Sequence, residues 1–115
     1  MKRGEIWTVA GGTGYAGKPR PAVVVQDDHF DATSSMTICV FTTDMTEAPL
    51  FRILIEPNDR NGLRVHSSLM ADKITSIPKA KFGSRIGRLD DDDMLRLNQA
   101  MLVFLGLAGS PRSGR

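Results

Sequence analysis

Cysteine is almost missing from this chain: Cys39 is the single one among 115 residues. No internal disulfide can form, and the apolar setting of Cys39 reads as a buried structural thiol. That fits a reducing compartment, in the simplest case a cytoplasm. Long apolar runs are missing too. No stretch approaches the roughly 20 apolar residues that a membrane span needs, and no apolar run follows Met1-Lys2-Arg3-Gly4-Glu5 to make a secretory signal. Neither sign of charge dominates. A net charge of +2 and a pI near 9.0 permit a nucleic-acid partner without requiring one. There is no Gly-x-Ser-x-Gly elbow and no Walker phosphate loop. His29 and His66 have no companion at metal-ligand spacing. The aspartates at 90–93 point in different directions around a helix and cannot converge on one ion. Neither a metal nor a cofactor is expected.

What is present reads as strands followed by one helix. Residues 5–9 alternate, with Ile6 and Thr8 on one face and Trp7 and Val9 on the other. The runs 22–26, 36–43 and 50–55 predict further strands, the last two joined by a hairpin loop. Residues 27–35 predict a loop with a short helical turn, and Glu-Pro-Asn-Asp-Arg-Asn-Gly at 56–62 is a turn by composition. Two extended pieces at 67–71 and 73–77 lead to a helical turn at 79–82 and a short strand at 85–88. Asp90 is placed to cap a helix whose first turn holds Asp91, Asp92 and Asp93, where negative charge meets the positive end of the dipole. Met94, Leu97, Met101 and Phe104, flanked by Leu95, Leu102 and Leu105, form its apolar face to about residue 105. The composition predicts one domain over 1–108, a small antiparallel barrel or sheet packed by a helix, and a frayed Gly/Ser/Pro/Arg tail over 109–115.

Two features carry chemistry. Gly12-Thr13-Gly14-Tyr15-Ala16-Gly17 has the spacing of a dinucleotide fingerprint, but Lys18-Pro19-Arg20-Pro21 follows it and cannot open the required helix. The segment is better read as a loop beside a binding surface, with Tyr15 and Lys18 available for contact. Arg20 sits between two prolines at the mouth of the apolar run 22–25, and the prolines hold it extended. A guanidinium forks onto phosphate oxygens and is worth most when pre-oriented. Thr42 and Thr43 close the third predicted strand, where hydroxyls can donate to a phosphate. With RNA the adjacent 2′-hydroxyl can serve as nucleophile, so two or three polar side chains suffice for positioning and charge stabilisation. The residues alone leave a second reading open, in which Arg20 makes a surface ion pair and the threonines only favour a strand.

The ordered set Arg3-Gly4-Glu5-Ile6-Trp7, Arg20-Pro21-Ala22-Val23-Val24-Val25-Gln26, the run 38–43, Pro49-Leu50-Phe51-Arg52-Ile53, Asp72-Lys73-Ile74-Thr75-Ser76-Ile77 and Ile86-Gly87-Arg88-Leu89 resembles the MazF/PemK (Kid) toxins of type II toxin–antitoxin systems. The resemblance runs from Lys2 to about Leu107. It implies an α+β fold, an SH3-like small β-barrel with a C-terminal helix, acting as a homodimer. It also implies a metal-independent, sequence-selective endoribonuclease that cleaves single-stranded mRNA to a 2′,3′-cyclic phosphate, and an antitoxin partner that covers the active groove. On the matching positions, Arg20 is the expected acid/base and phosphate clamp. Thr43 is the expected hydroxyl by ungapped count, with Thr42 the alternative. Asp72 matches an aspartate that Kid-type members use.

Two departures stand out. The loop before Arg20 lacks the family's Ser-Glu-Gln or His-Glu-Gln triplet, and Met70 stands where Kid-type members place an arginine. Asp72 is therefore expected either to touch substrate or to pair with Lys73 or Arg88. The alternatives in function are a CcdB-like gyrase-directed toxin and an inactive antitoxin-binding homologue. The end of this chain, Gly-Leu-Ala-Gly-Ser before the last residues, lacks the bulky aromatic terminus that CcdB-type action would use.

Overall fold

A computed structural model describes residues 1–10, 18–48 and 50–108. The glycine-rich loop with Tyr15 and the proposed tail 109–115 lie outside the described residues. Six strands form one antiparallel sheet: β1 (Glu5–Val9), β2 (Arg20–Val24), β3 (Ser35–Thr42), β4 (Arg52–Ile55), β5 (Ser67–Pro78) and β6 (Phe82–Arg88). Helix α1 (Asp91–Phe104) follows. The spatial order is β4-β5-β3-β2-β1-β6, and among the described residues no pairing joins β4 to β6. No described helix is long and apolar enough to cross a membrane.

The alternation read in the sequence sorts side chains onto two faces. On the inner face Ile6, Val23, Cys39, Phe41, Ile53, Leu69 and Ala71 pack with Leu89 against Met94, Leu97 and Ala100 of α1. On the outer face Val9, Ala22 and Ile38 gather Val40, Ile77 and Phe82 around them. Trp7 meets the edge of Phe82 at a centroid distance of 6.2 Å. Cys39 is fully buried, and desolvation pushes its thiol up to about 12, opposed by a hydrogen bond with the Met70 backbone.

Several expectations shift. The third and fourth strands do not form a hairpin, because β5 lies between them. The two extended pieces near residue 70 are one strand carrying a large bulge. Between the pairs Phe41↔Leu69 and Cys39↔Ile74, only Val40 of β3 faces residues 70–73 of β5. β2 begins at Arg20, so Pro21 is inside the strand. The β2–β3 ladder starts only at Ala22, where a missing proline N–H costs nothing. The last strand starts at Phe82, after a 3-10 turn at Lys79–Lys81.

The turn at 56–62 is built on Asn61, which is fully buried. Its Oδ1 accepts from the Asn58 and Leu63 amides, and its Nδ2 donates to the Glu56 carbonyl. Gly62 follows at φ +70°, where a Cβ would fall 2.1 Å from the Ile86 carbonyl oxygen. At α1, Asp90 holds the N-cap backbone position, but its carboxylate does not cap. It accepts from Asn58 Nδ2 at 3.1 Å and faces Arg60 at 3.6 Å. The helix closes with Gly106 at φ +72°, its amide donating to Val103 and that of Leu107 to Leu102. The apolar face of α1 is narrower inward than its sequence suggests, since Leu95, Leu102, Phe104 and Leu105 remain exposed. Leu69 is fully buried in the inner core.

Candidate nucleic-acid interface

The outer face of the sheet carries polar side chains beyond its apolar floor. Strand pairing sets them in a row. Leu54 faces Ser68, and Ser68 faces Thr42. The pair Ala22↔Val40, continued by two residues, sets Arg20 across from Thr42. Inner-face Phe41, Ile53 and Leu69 alternate with these positions, so Arg20, Thr42, Ser68 and Leu54 share the outer face. Arg20 pairs on its other side with Val9, and its Nε is buried. Lys18 lies exposed two residues before it.

The two candidate threonines differ in place. Thr42 is the last residue of β3 and is partly buried, and its Oγ1 accepts from the Asp44 amide at 3.1 Å. Thr43 is one residue past the strand and exposed. Asp44 in turn accepts from the amide and hydroxyl of Thr46, at 3.0 and 2.8 Å, and these bonds lower its pKa. Strand parity therefore sets Thr42, not Thr43, on the face of Arg20.

Asp72 lies in the β5 bulge, and its partner is neither Lys73 nor Arg88. Arg52 Nε donates to Asp72 Oδ1 at 3.0 Å and Nη2 to Oδ2 at 3.3 Å, with side chains only 16% and 18% exposed. Burial favours the neutral acid. The Arg52 fork, Asp72's own backbone amide and the charges of Arg52 and Lys73 outweigh it, so the carboxyl titrates below its ordinary range. The Arg52 guanidinium also lies 5.8 Å from the centre of the Phe51 ring. A cavity of about 310 Å³ opens beside it, lined by the 45–48 loop, Arg52, Leu54 and Ser68. Sequence reasoning gave no role to Arg52 or Ser68. The available signal was the alternation of Arg52 and Leu54 with Ile53 and Ile55, which marks an outer-face arginine, but its partner depends on register.

Each histidine faces a carboxylate. His29 Nδ1 sits 2.7 Å from Asp27 Oδ1, and that bond raises its pKa. His66 lies 4.0 Å from Glu56. Among the described residues no three His, Cys, Asp or Glu side chains gather as metal ligands would.

A six-stranded antiparallel sheet with one helix behind it agrees with the family comparison. The model for PemK-like, MazF-like toxins of type II toxin–antitoxin systems matches residues 2–105. The chain belongs to this toxin family. It is 53% identical over 109 residues to a probable endoribonuclease MazF from Mycolicibacterium smegmatis, spanning 95% of this chain and 100% of that protein. It is 32% identical over 117 residues to endoribonuclease MazF9 from Mycobacterium tuberculosis, spanning 93% and 98%. A solved mycobacterial endoribonuclease in complex with its cognate antitoxin superposes with a TM-score of 0.79 at 22% identity, over 96% of this chain and 99% of that one. The last comparison bears on the fold alone, and it fits a six-stranded antiparallel sheet with a C-terminal helix in the MazF manner.

Proposed function

We propose that this toxin-family chain is a sequence-selective, metal-independent endoribonuclease acting on single-stranded RNA in the cytoplasm, as a homodimer neutralised by an antitoxin. The toxin domain spans residues 1–108, with 109–115 a tail. Kinship with the two MazF endoribonucleases supports the activity, and the cognate antitoxin of the solved relative supports the partner. What supports the chemistry is the outer-face row: the β2–β3 register at Ala22↔Val40, carried two residues further, aligns Arg20 with Thr42.

In this reading the RNA's own 2′-oxygen attacks phosphorus, the bond from phosphorus to the 5′-oxygen breaks, and the 5′-hydroxyl leaves with a proton. Arg20 neutralises the charge that builds on the non-bridging oxygens, gives a proton to the departing 5′-oxygen and regains one from the attacking 2′-hydroxyl. A threonine hydroxyl, from Thr42 or Thr43, holds the phosphate for in-line attack. Lys18 and Tyr15 contact the strand as it passes. Asp72 serves the site through Arg52, since a carboxylate engaged in that fork does not attract phosphate. Single-stranded RNA suits such a surface, because unpaired bases splay outward and the 2′-hydroxyl excludes DNA.

The test is cleavage of single-stranded RNA by purified protein in the presence of chelator. Arg20→Ala is expected to lower the rate by about 10²–10³-fold with the fold intact. Growth arrest by Arg20→Ala equal to that of the wild type would rule the mechanism out. Inhibition of gyrase supercoiling without RNA cleavage would instead indicate CcdB-like action, and antitoxin binding with neither effect an inactive homologue.

A further inference from the structure

The cavity of about 310 Å³ beside Arg52 is in the size range of small-ligand sites. It has an apolar lining from Met45, Ala48 and Leu54, and polar groups from Ser68, Thr46 and Arg52. Its acidic neighbours argue against a phosphate. Glu47 lines it, Asp72 grips the arginine, and the Asp44 carboxylate is close enough to feel the Arg52 charge. A neutral, flat ligand with acceptor atoms fits better.

The guanidinium defines which acceptors. Asp72 takes the Nε and Nη2 side, and Phe51 lies 5.8 Å from the guanidinium carbon. Both fix the orientation of the group. No described residue accepts a hydrogen bond from Nη1, so the outer end of the fork keeps two parallel N–H donors. Paired donors at that spacing match the O6 and N7 acceptors of guanine, whereas adenine presents a donor at the O6 position. Leu54 and Ser68 continue the row of Thr42 and Arg20. β4 lies three strand spacings of about 4.8 Å from β2, so the cavity meets a nucleotide flanking the one held at Arg20.

We infer that this cavity is a base-recognition pocket that selects a guanine flanking the cleaved phosphate, read by Arg52 with Asp72 as the residue that orients it. The inference rests on the ribonuclease reading for its substrate, but its test reads binding and does not depend on cleavage. The probe is an RNA heptamer made uncleavable by 2′-O-methyl substitution, with guanine or adenine placed at each position in turn. Affinity is measured for wild type, Arg52→Met, Arg52→Lys, Asp72→Asn and Arg20→Ala.

At one fixed position guanine is expected to bind about tenfold tighter than adenine. Inosine there should bind like guanine and 7-deazaguanine should not, a comparison that needs no variant protein. Both Arg52 variants should lose the preference, with the lysine lacking the fork even where the fold is kept. Asp72→Asn should blunt it. Arg20→Ala should weaken binding overall and keep it. Absence of any guanine preference in the wild type would overturn the proposal, as would a preference that survives in folded Arg52→Met. So would loss of antitoxin binding in Arg52→Met with base selectivity unchanged, which would make the cavity a peptide subsite. Guanine-selective binding without cleavage would uphold the pocket and sink the ribonuclease reading.

Discussion

A hydroxyl one residue further along a strand faces the other way, and that single step sets which threonine shares a face with Arg20. An ungapped count of the family pattern points to Thr43, whereas strand parity puts Thr42 on the shared outer face and leaves Thr43 past the end of β3. The expected outcome is that Thr42→Val lowers RNA cleavage by about tenfold or more, the scale of one lost hydrogen bond to a charged group. Thr43→Val is expected to stay within about threefold of wild type. Initial rates on a fluorogenic RNA check both, and the reverse ranking would return the role to Thr43. The extended placement of Arg20 at the start of β2 was legible from sequence because two prolines flank it. Arg52 was not, since its meaning comes from Asp72 across a bulge that no local pattern encodes.

At the scale of elements, the sequence yields strands and turns far better than strand neighbours. Alternation at 5–9 and the Asn/Gly chemistry of 56–62 are local and visible. The seat of β5 between β3 and β4 is not, because pairing is chosen by burial across the whole sheet. The edge strand β4 is tied to β5 by the Arg52–Asp72 fork as well as by its ladder. Asp72 titrates below its ordinary value in the folded state, so the pair contributes stability above the unfolded carboxyl pKa and loses it as pH falls through the folded one. Asp72→Asn is expected to destabilise the fold by about 1–2 kcal/mol at pH 7. Its disadvantage against wild type should shrink on acidification from about pH 4 downward. Urea midpoints across pH measure this, and a gap between the two proteins that is constant with pH would mean that the fork does not carry the linkage.

The whole molecule leaves more apolar surface uncovered than one small domain needs. Leu95, Leu102, Val103, Phe104 and Leu105 on α1 are 43–58% exposed. Leu50, just before β4, extends the patch and lines a common cavity with Val103 and Arg96. Patches of this kind mark interfaces, and a closed two-fold contact covers them with one surface used twice. The helical periodicity shows that α1 is apolar on a wide face. It cannot tell how much of that face the sheet covers, and the answer is a stripe of Met94, Leu97 and Ala100. Light scattering at micromolar concentration is expected to give twice the 12.6 kDa chain mass. Leu102→Glu should shift the protein toward monomer, because a desolvated carboxylate at an apolar contact costs more than the contact returns. Its thermal midpoint should then become insensitive to dilution, while that of the wild type rises with concentration, as dissociation coupled to unfolding requires. A wild type that is monodisperse at the single-chain mass would mean that α1 keeps its leucines in water, and the dimeric assembly proposed for this toxin would fall with it.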